Sequence, residues 1–185
     1  RYPTARLGGN FMFLAFIIAA SLLISTAVEN SGTSSLPKPA GCDFLGRDNA
    51  TKIIGREVSW TGTDGTTPDG VDIFKCTFVE AENSEGGAKL HFMLMKSPTP
   101  EGAKKEFETV RQLNQNHAGF EEWPGVSDEA IVHSDGKSFH FVMVRTGSRT
   151  IRLKVNPVKA VELEAVKSVA LSLSSRLQKG GKGDD

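Results

Sequence analysis

Residues 71–80, VDIFKCTFVE, alternate in side-chain direction as a strand must, yet both alternating sets are apolar. Phe74, Cys76 and Phe78 point one way, and Val71, Ile73 and Val79 point the other. The segment AKLHFMLMK at 88–96 repeats the pattern, with Leu90, Phe92 and Leu94 opposing His91, Met93 and Met95. NSEGG between them is turn-forming, so the two segments make a hairpin. A hairpin that is apolar on both sides does not suit a sheet with water on one face. Each face needs cover, and the rest of the chain must supply it.

Helices for that purpose can be read on both sides of the hairpin. After Cys42, Asp48 or Asn49 can cap a short helix that Gly55 ends. Thr99 followed by Pro100 is an N-cap with proline at the first helical position, and Gly119 is the expected stop. Between them Ala103, Phe107, Val110 and Leu113 form one apolar stripe. Asn156-Pro157 opens a last helix, with Val158, Val161, Ala165, Val169 and Leu173 inward and an end near Leu177. REVSW begins a strand, and the Gly, Thr and Asp-rich stretch 61–70 after it reads as a loop. A second strand group, SDEAIVHS, SFHFVMVRT and RTIRLKV, is separated by DG and GS turns. The expected fold is therefore α+β: an antiparallel sheet of about six strands in two three-strand groups, in the order αβββαβββα, with the helices divided between its faces.

The N-terminal 27 residues stand apart. Arg1 and Arg6 precede an apolar run from Phe11 to Ile24 broken only by Ser21, and small residues follow at Ser25-Thr26-Ala27. That is the order of a secretory signal, with cleavage expected after Ala27. Extended to Val28, the same run is about 18 residues long and just reaches the minimum for a membrane anchor. Residues 28–41 are polar, rich in Ser, Gly and Pro, and read as a flexible linker. PAGC at Pro39–Cys42 has the look of a lipidation signal, but its apolar run is not adjacent. A single globular domain is expected over 42–178, with a disordered tail at 179–185.

Without its first 27 residues the chain has 20 basic and 22 acidic side chains, so no basic excess recommends nucleic acid as a partner. The two cysteines, Cys42 and Cys76, both follow the signal, and in an oxidising compartment they read as one disulfide. Such a bridge closes a loop of about 35 residues and is worth about 3–4 kcal/mol in the chain-entropy picture. No CxxC spacing is present to make a reactive thiol.

The chain holds no GxSxG, HExxH, phosphate-binding glycine loop or EF-hand pattern. His91, His133 and His140 could converge as a metal site, but they lack ligand spacing, and no metal or cofactor is expected. Asp64, Asp69 and Asp72 match no rigid calcium cage. Trp60 and Trp123 border loops, where tryptophan either closes a core or anchors a partner. Together with Met93, Met95, Val142 and Val144 on the second sheet face, they make the expected ligand or partner surface.

The paired cysteines, PGVSDEA at 124–130, DGKSFHFVMV at 135–144 and RTGSRTIRLKV at 145–155 carry a resemblance over residues 42–178. They resemble small exported bacterial domains of unknown function, many of them lipoproteins with a PGxGDEA-like turn and an RxGxxxxxL hairpin. Ser127 stands where that turn usually has its second glycine. The arrangement is also similar to PsbP-like α/β/α sandwiches and to extracellular sensor domains of some bacterial kinases. The resemblance implies an exported location and a lean toward binding or scaffolding, and it brings no catalytic residues.

The expected function is an exported, non-catalytic binding or accessory domain of the cell envelope, periplasmic, extracellular or membrane-anchored. Its partner is an envelope protein or a small apolar ligand, and it meets a membrane only through residues 11–28 if these stay uncleaved. The alternatives are a secreted hydrolase with His133 or His140 as general base, and a carrier of a small apolar ligand.

Overall fold

The expected hairpin forms: Asp72–Glu80 and Lys89–Lys96 lie antiparallel, with Cys76 opposite Phe92 and Phe78 opposite Leu90. It belongs to a computed structural model that describes residues 40–81, 86–158 and 161–180. The candidate signal segment at 1–27, nearly all of the linker and residues 181–185 of the tail lie outside the described residues.

Among the described residues the chain runs α1 (Ala40–Leu45), α2 (Arg47–Ile54), β1 (Val58–Thr66), β2 (Asp72–Glu80), β3 (Lys89–Lys96), α3 (Pro100–Asn114), β4 (Phe120–Glu122), β5 (Glu129–Ser134), β6 (His140–Thr146), β7 (Arg149–Asn156) and α4 (Leu163–Gly180). The strands form one antiparallel sheet in the order β1-β2-β3-β7-β6-β5-β4. Two meanders thus meet where β3 pairs with β7. Each ends on a central strand followed by a helix, and these two helices take opposite faces: α4 packs over Val142, Val144 and Leu153, and α3 sets Phe107 on Ile131 and Met143.

The α+β class and the antiparallel sheet are as the sequence indicates, but the finer order differs. There are seven described strands rather than six, because Phe120–Glu122 adds a short edge strand. Gly119 makes this possible: its φ is 79°, and a Cβ there would lie 1.8 Å from the Ser134 carbonyl oxygen, so only glycine lets the chain close against β5. The short helix expected after Cys42 is α2, and Gly55 ends it in the left-handed conformation as expected. It begins at Arg47 with Gly46 (φ 80°) at its N-cap, so neither Asp48 nor Asn49 caps it, and α1 ahead of it is an additional helix. Residues 61–66 are strand, not loop. As an edge strand β1 needs backbone pairing with β2 on one side alone, and its threonines favour extended backbone while facing water.

Helix bounds shift for similar local reasons. Thr99 caps α3 as expected, its hydroxyl accepting from Gly102 N–H at 3.1 Å, but the helix ends at Asn114, and Leu113 is exposed instead of inward. Val158 and Val161 are buried ahead of α4, which starts at Leu163 after a cis Asn156-Pro157 peptide and continues to Gly180. Its buried face is Val166, Val169, Ala170, Leu173 and Leu177.

The main core lies beneath α1, α2 and α4 and includes Phe78, Leu90, Phe92, Val142, Val144 and Leu153. Each such side chain contributes about 1.5–3 kcal/mol on burial. The Cys42–Cys76 disulfide ties α1 to β2 inside this core, with both cysteines buried. Gly41 allows that contact, since a Cβ there would meet the Phe74 Cβ at 2.7 Å. No helix among the described residues is long and apolar enough to cross a membrane.

Candidate functional site

Among the described residues the other sheet face has one helix to cover it. Phe107 anchors α3 over β5 and β6, with Val110, Phe120 and Phe141 packed around Ile131 and Met143. Glu106, on the same helix, ion-pairs with Arg152 of β7. The helix is centred on β6 and β7, and Ile73, Val79 and Met93 on β2 and β3 are left half-buried. Two hollows mark this open lane. One, of about 330 Å³, lies over β2, β3 and β7 and is lined by Lys75, Thr77, His91, Met93, Phe141 and Lys154. The other, of about 550 Å³, lies between Ile73 and Met95 on the sheet and Lys105 and Glu106 on α3.

Strand register explains which side chains meet in the first hollow. One cross-strand row reads Lys75, Met93, Arg152, Met143, and the next reads Thr77, His91, Lys154, Phe141. Met93 and Phe141 give an apolar floor, and cations stand beside them. His91 Nδ1 is 3.2 Å from the Thr77 hydroxyl. Partial desolvation on the sheet, with repulsion from Lys154 and Lys89, pushes the His91 ring below its ordinary pKa. Burial raises the Glu106 carboxyl, and the Arg152 guanidinium opposes that.

Of the residues expected to form a ligand or partner surface, Met93 and Met95 share this face, with Met95 buried near α3. Val142 and Val144 do not. They lie on the helix-covered face in full burial, and Phe141 and Met143 take the places assigned to them. Parity along a strand is legible in sequence, but the parity of one strand relative to another depends on the turns between them. Trp60 packs on Phe78 beneath the Arg47 guanidinium, 4.6 Å from the ring centre, and Trp123 borders the main core with the Lys167 ammonium at 5.7 Å. Both tryptophans sit away from the open lane.

The three histidines are not brought together. His91 and His133 share a face but have β7 and β6 between them, and His140 lies on the other face. His133 is buried, its Nδ1 2.9 Å from Asn114 Oδ1 of α3 and its ring edge-on to Phe139. His140 is buried with Ser134 Oγ at 2.7 Å from Nδ1 and the Val161 carbonyl oxygen at 3.0 Å from Nε2. Among the described residues no three His, Cys, Asp or Glu side chains are grouped to hold a metal ion.

The PGVSDEA turn and the RTGSRTIRLKV hairpin turn out to be one unit. Arg145 donates to Glu129 at 2.6 Å, to Asp128 at 3.0 Å and to the Gly147 carbonyl at 3.0 Å, and Asp128 also accepts from Gly147 N–H at 2.7 Å. These acids hold a turn in place, a structural task. A third hollow of about 290 Å³ beside Trp123 carries Glu108 and Glu122, each paired with Arg111. Hydrogen bonds from Arg111 pull the Glu108 carboxyl down to about 2.

Sequence reasoning passed over Lys75, Phe141, Arg152 and Lys154. The signal was present in the alternation of RTIRLKV, where Arg152 and Lys154 must oppose Ile151, Leu153 and Val155. Compared with known proteins, the chain matches no family model and no curated protein sequence.

Proposed function

We propose that this chain is an exported, non-catalytic binding or accessory domain of the cell envelope, and that the open lane over β2 and β3 is its binding surface. The observation that carries this reading is the asymmetry of cover among the described residues: three helices lie on one face, while α3 leaves Ile73, Val79 and Met93 half-buried beside two hollows on the other. Concave surfaces with an apolar floor and a few convergent polar groups are where ligands bind. Export is supported by the buried disulfide, a bond that persists in oxidising compartments.

The test is a photo-crosslinking side chain placed at Met93 in the full chain and expressed in its own host. A matched variant carries it at Leu171, which is exposed on α4. Adducts expected at position 93 and absent at 171 support the assignment. Equal labelling at both positions would remove the open lane as the binding surface.

A second reading, a hydrolase with His140 as general base on Ser134, draws on their 2.7 Å contact. It requires an ester-directed serine probe to label Ser134 in the folded chain, and an unlabelled Ser134 would end it.

A further inference from the structure

The open lane has a sign as well as a shape. On the face that the described helices leave open, β2, β3 and β7 present Lys75, Lys89, His91, Arg152 and Lys154, and these three strands place no carboxylate there. The chain as a whole has formal charge zero, so this is segregation and not an average property of the surface. Glu106 reaches in from α3 and answers Arg152 alone. The Arg152 Nε is buried and has no hydrogen-bond partner among the described residues.

The spacing suits one small anion with an apolar body. Adjacent strands are about 4.8 Å apart, which sets Lys75 and Arg152 roughly 10 Å apart with Met93 between them. Lys154 lies one row away, opposite His91 and beside Phe141. Lys75 and Lys154 are exposed at the rim, with the Lys154 ammonium 5.7 Å from the centre of the Phe139 ring, while Met93 and Phe141 are half-buried. Charged groups at a rim and polarisable apolar groups at the floor are complementary to an amphiphile, not to a neutral oil. The His91 pKa is lowered first by partial burial, and the neighbouring Lys154 and Lys89 charges add to that.

We infer that the lane binds an amphipathic anion, a short apolar chain or ring that lies on Met93 and Phe141 and carries a phosphate or carboxylate head between Lys75 and Lys154. The inference rests on the reading of this face as the binding surface and adds the chemical class of the ligand.

Octyl phosphate, octanol, inorganic phosphate and polyglutamate are the probes, each titrated into the full chain with labelled methionine methyl groups followed by NMR. The expected result is a shift of the Met93 methyl with octyl phosphate, at an affinity about tenfold or more above that for octanol or inorganic phosphate. The Lys75→Gln, Lys154→Gln double variant is expected to lose about tenfold for octyl phosphate and to leave octanol unchanged. Equal binding of octyl phosphate and octanol would overturn the inference and leave an apolar binding surface standing. Inorganic phosphate or polyglutamate binding as tightly as octyl phosphate would overturn it in favour of a plain anion or an acidic polymer. Silence of the Met93 methyl with every probe would overturn it outright, whatever the crosslinks at position 93 report.

Discussion

Ser134 Oγ lies 2.7 Å from Nδ1 of His140, and the same hydroxyl oxygen accepts the Gly136 N–H at 3.1 Å. The Val161 carbonyl can only accept, so Nε2 of His140 carries a proton, and in the neutral ring Nδ1 takes the hydrogen bond from Ser134. The relay joins β5, β6 and the segment before α4. Ser134→Ala leaves a buried ring nitrogen and a backbone N–H without their partner, and is expected to cost about 1–3 kcal/mol in urea denaturation. A loss under about 0.5 kcal/mol would mean that water replaces the hydroxyl and that the relay is not structural.

The disulfide is the second test of how the layers are held. Cys42 on α1 and Cys76 on β2 are 34 residues apart in sequence, and both are buried. Replacing both by alanine removes the crosslink from the unfolded chain and is expected to lower stability by about 3–4 kcal/mol. The reduced wild type should show a similar loss, because the cost lies mainly in the freed unfolded chain. If the double variant were as stable as the oxidised protein, α1 would be held by packing alone.

The parts legible in sequence were those set by local physics. Thr99-Pro100 announces α3 because the cap and the fixed φ act within one turn, and the alternation at 71–80 and 88–96 announces β2 and β3 because side-chain parity needs no partner. Cys42 and Cys76 pair because they are alone. What depends on distant contacts was hidden. β4 exists because Gly119 can touch Ser134, and Val142 belongs to the main core because two turns set the parity of β6 against β3. The candidate site is such a case: Lys75, His91 and Lys154 become neighbours through the β2-β3-β7 order, and the β3-β7 pairing joins residues some 60 positions apart.

Arg145 joins the turn at 124–130 to the β6-β7 turn. Its side chain is largely buried and is met by Glu129, Asp128 and the Gly147 carbonyl. Arg145→Met would leave the two carboxylates facing each other's charge, and a loss of about 2–3 kcal/mol is expected, below the full cost of a wholly buried pair because water reaches both acids. Asp128→Asn keeps an acceptor for Gly147 N–H and should lose about 1 kcal/mol. The reverse ranking in a thermal or urea scan would show that the turn, and not the guanidinium, organises this end of the sheet.

Ser127 has φ 57°, the sole non-glycine residue with positive φ among those described. Left-handed backbone costs a residue with a Cβ about 1 kcal/mol, and the Ser127 hydroxyl offsets part of that through its hydrogen bond with Thr146. Glycine and alanine both remove the hydroxyl, but alanine alone keeps the strain. Ser127→Ala is therefore expected to be less stable than Ser127→Gly by about 1 kcal/mol. Equal stability of the two variants would show that the backbone at this turn relaxes freely.

Asp135 supplies the pH test. Its Oδ1 accepts N–H groups from Lys137, Ser138 and Phe139 at 3.0, 2.7 and 3.1 Å, which holds the β5-β6 turn and keeps the carboxyl well below the usual aspartate range. In the unfolded chain the same carboxyl titrates near about 3.9. Between that value and the lower folded one, the unfolded state binds more protons, so stability rises with pH across the window and is fully present above it. Asp135→Asn cannot titrate and gives the amides a weaker, neutral acceptor. Its urea midpoint is expected to lie below that of the wild type at pH 7, and the gap is expected to narrow as the pH falls below about 4, where the wild-type carboxylate begins to lose its advantage. A gap that stays constant from pH 7 to pH 2 would assign the turn's stability to the shape of the side chain and not to its charge.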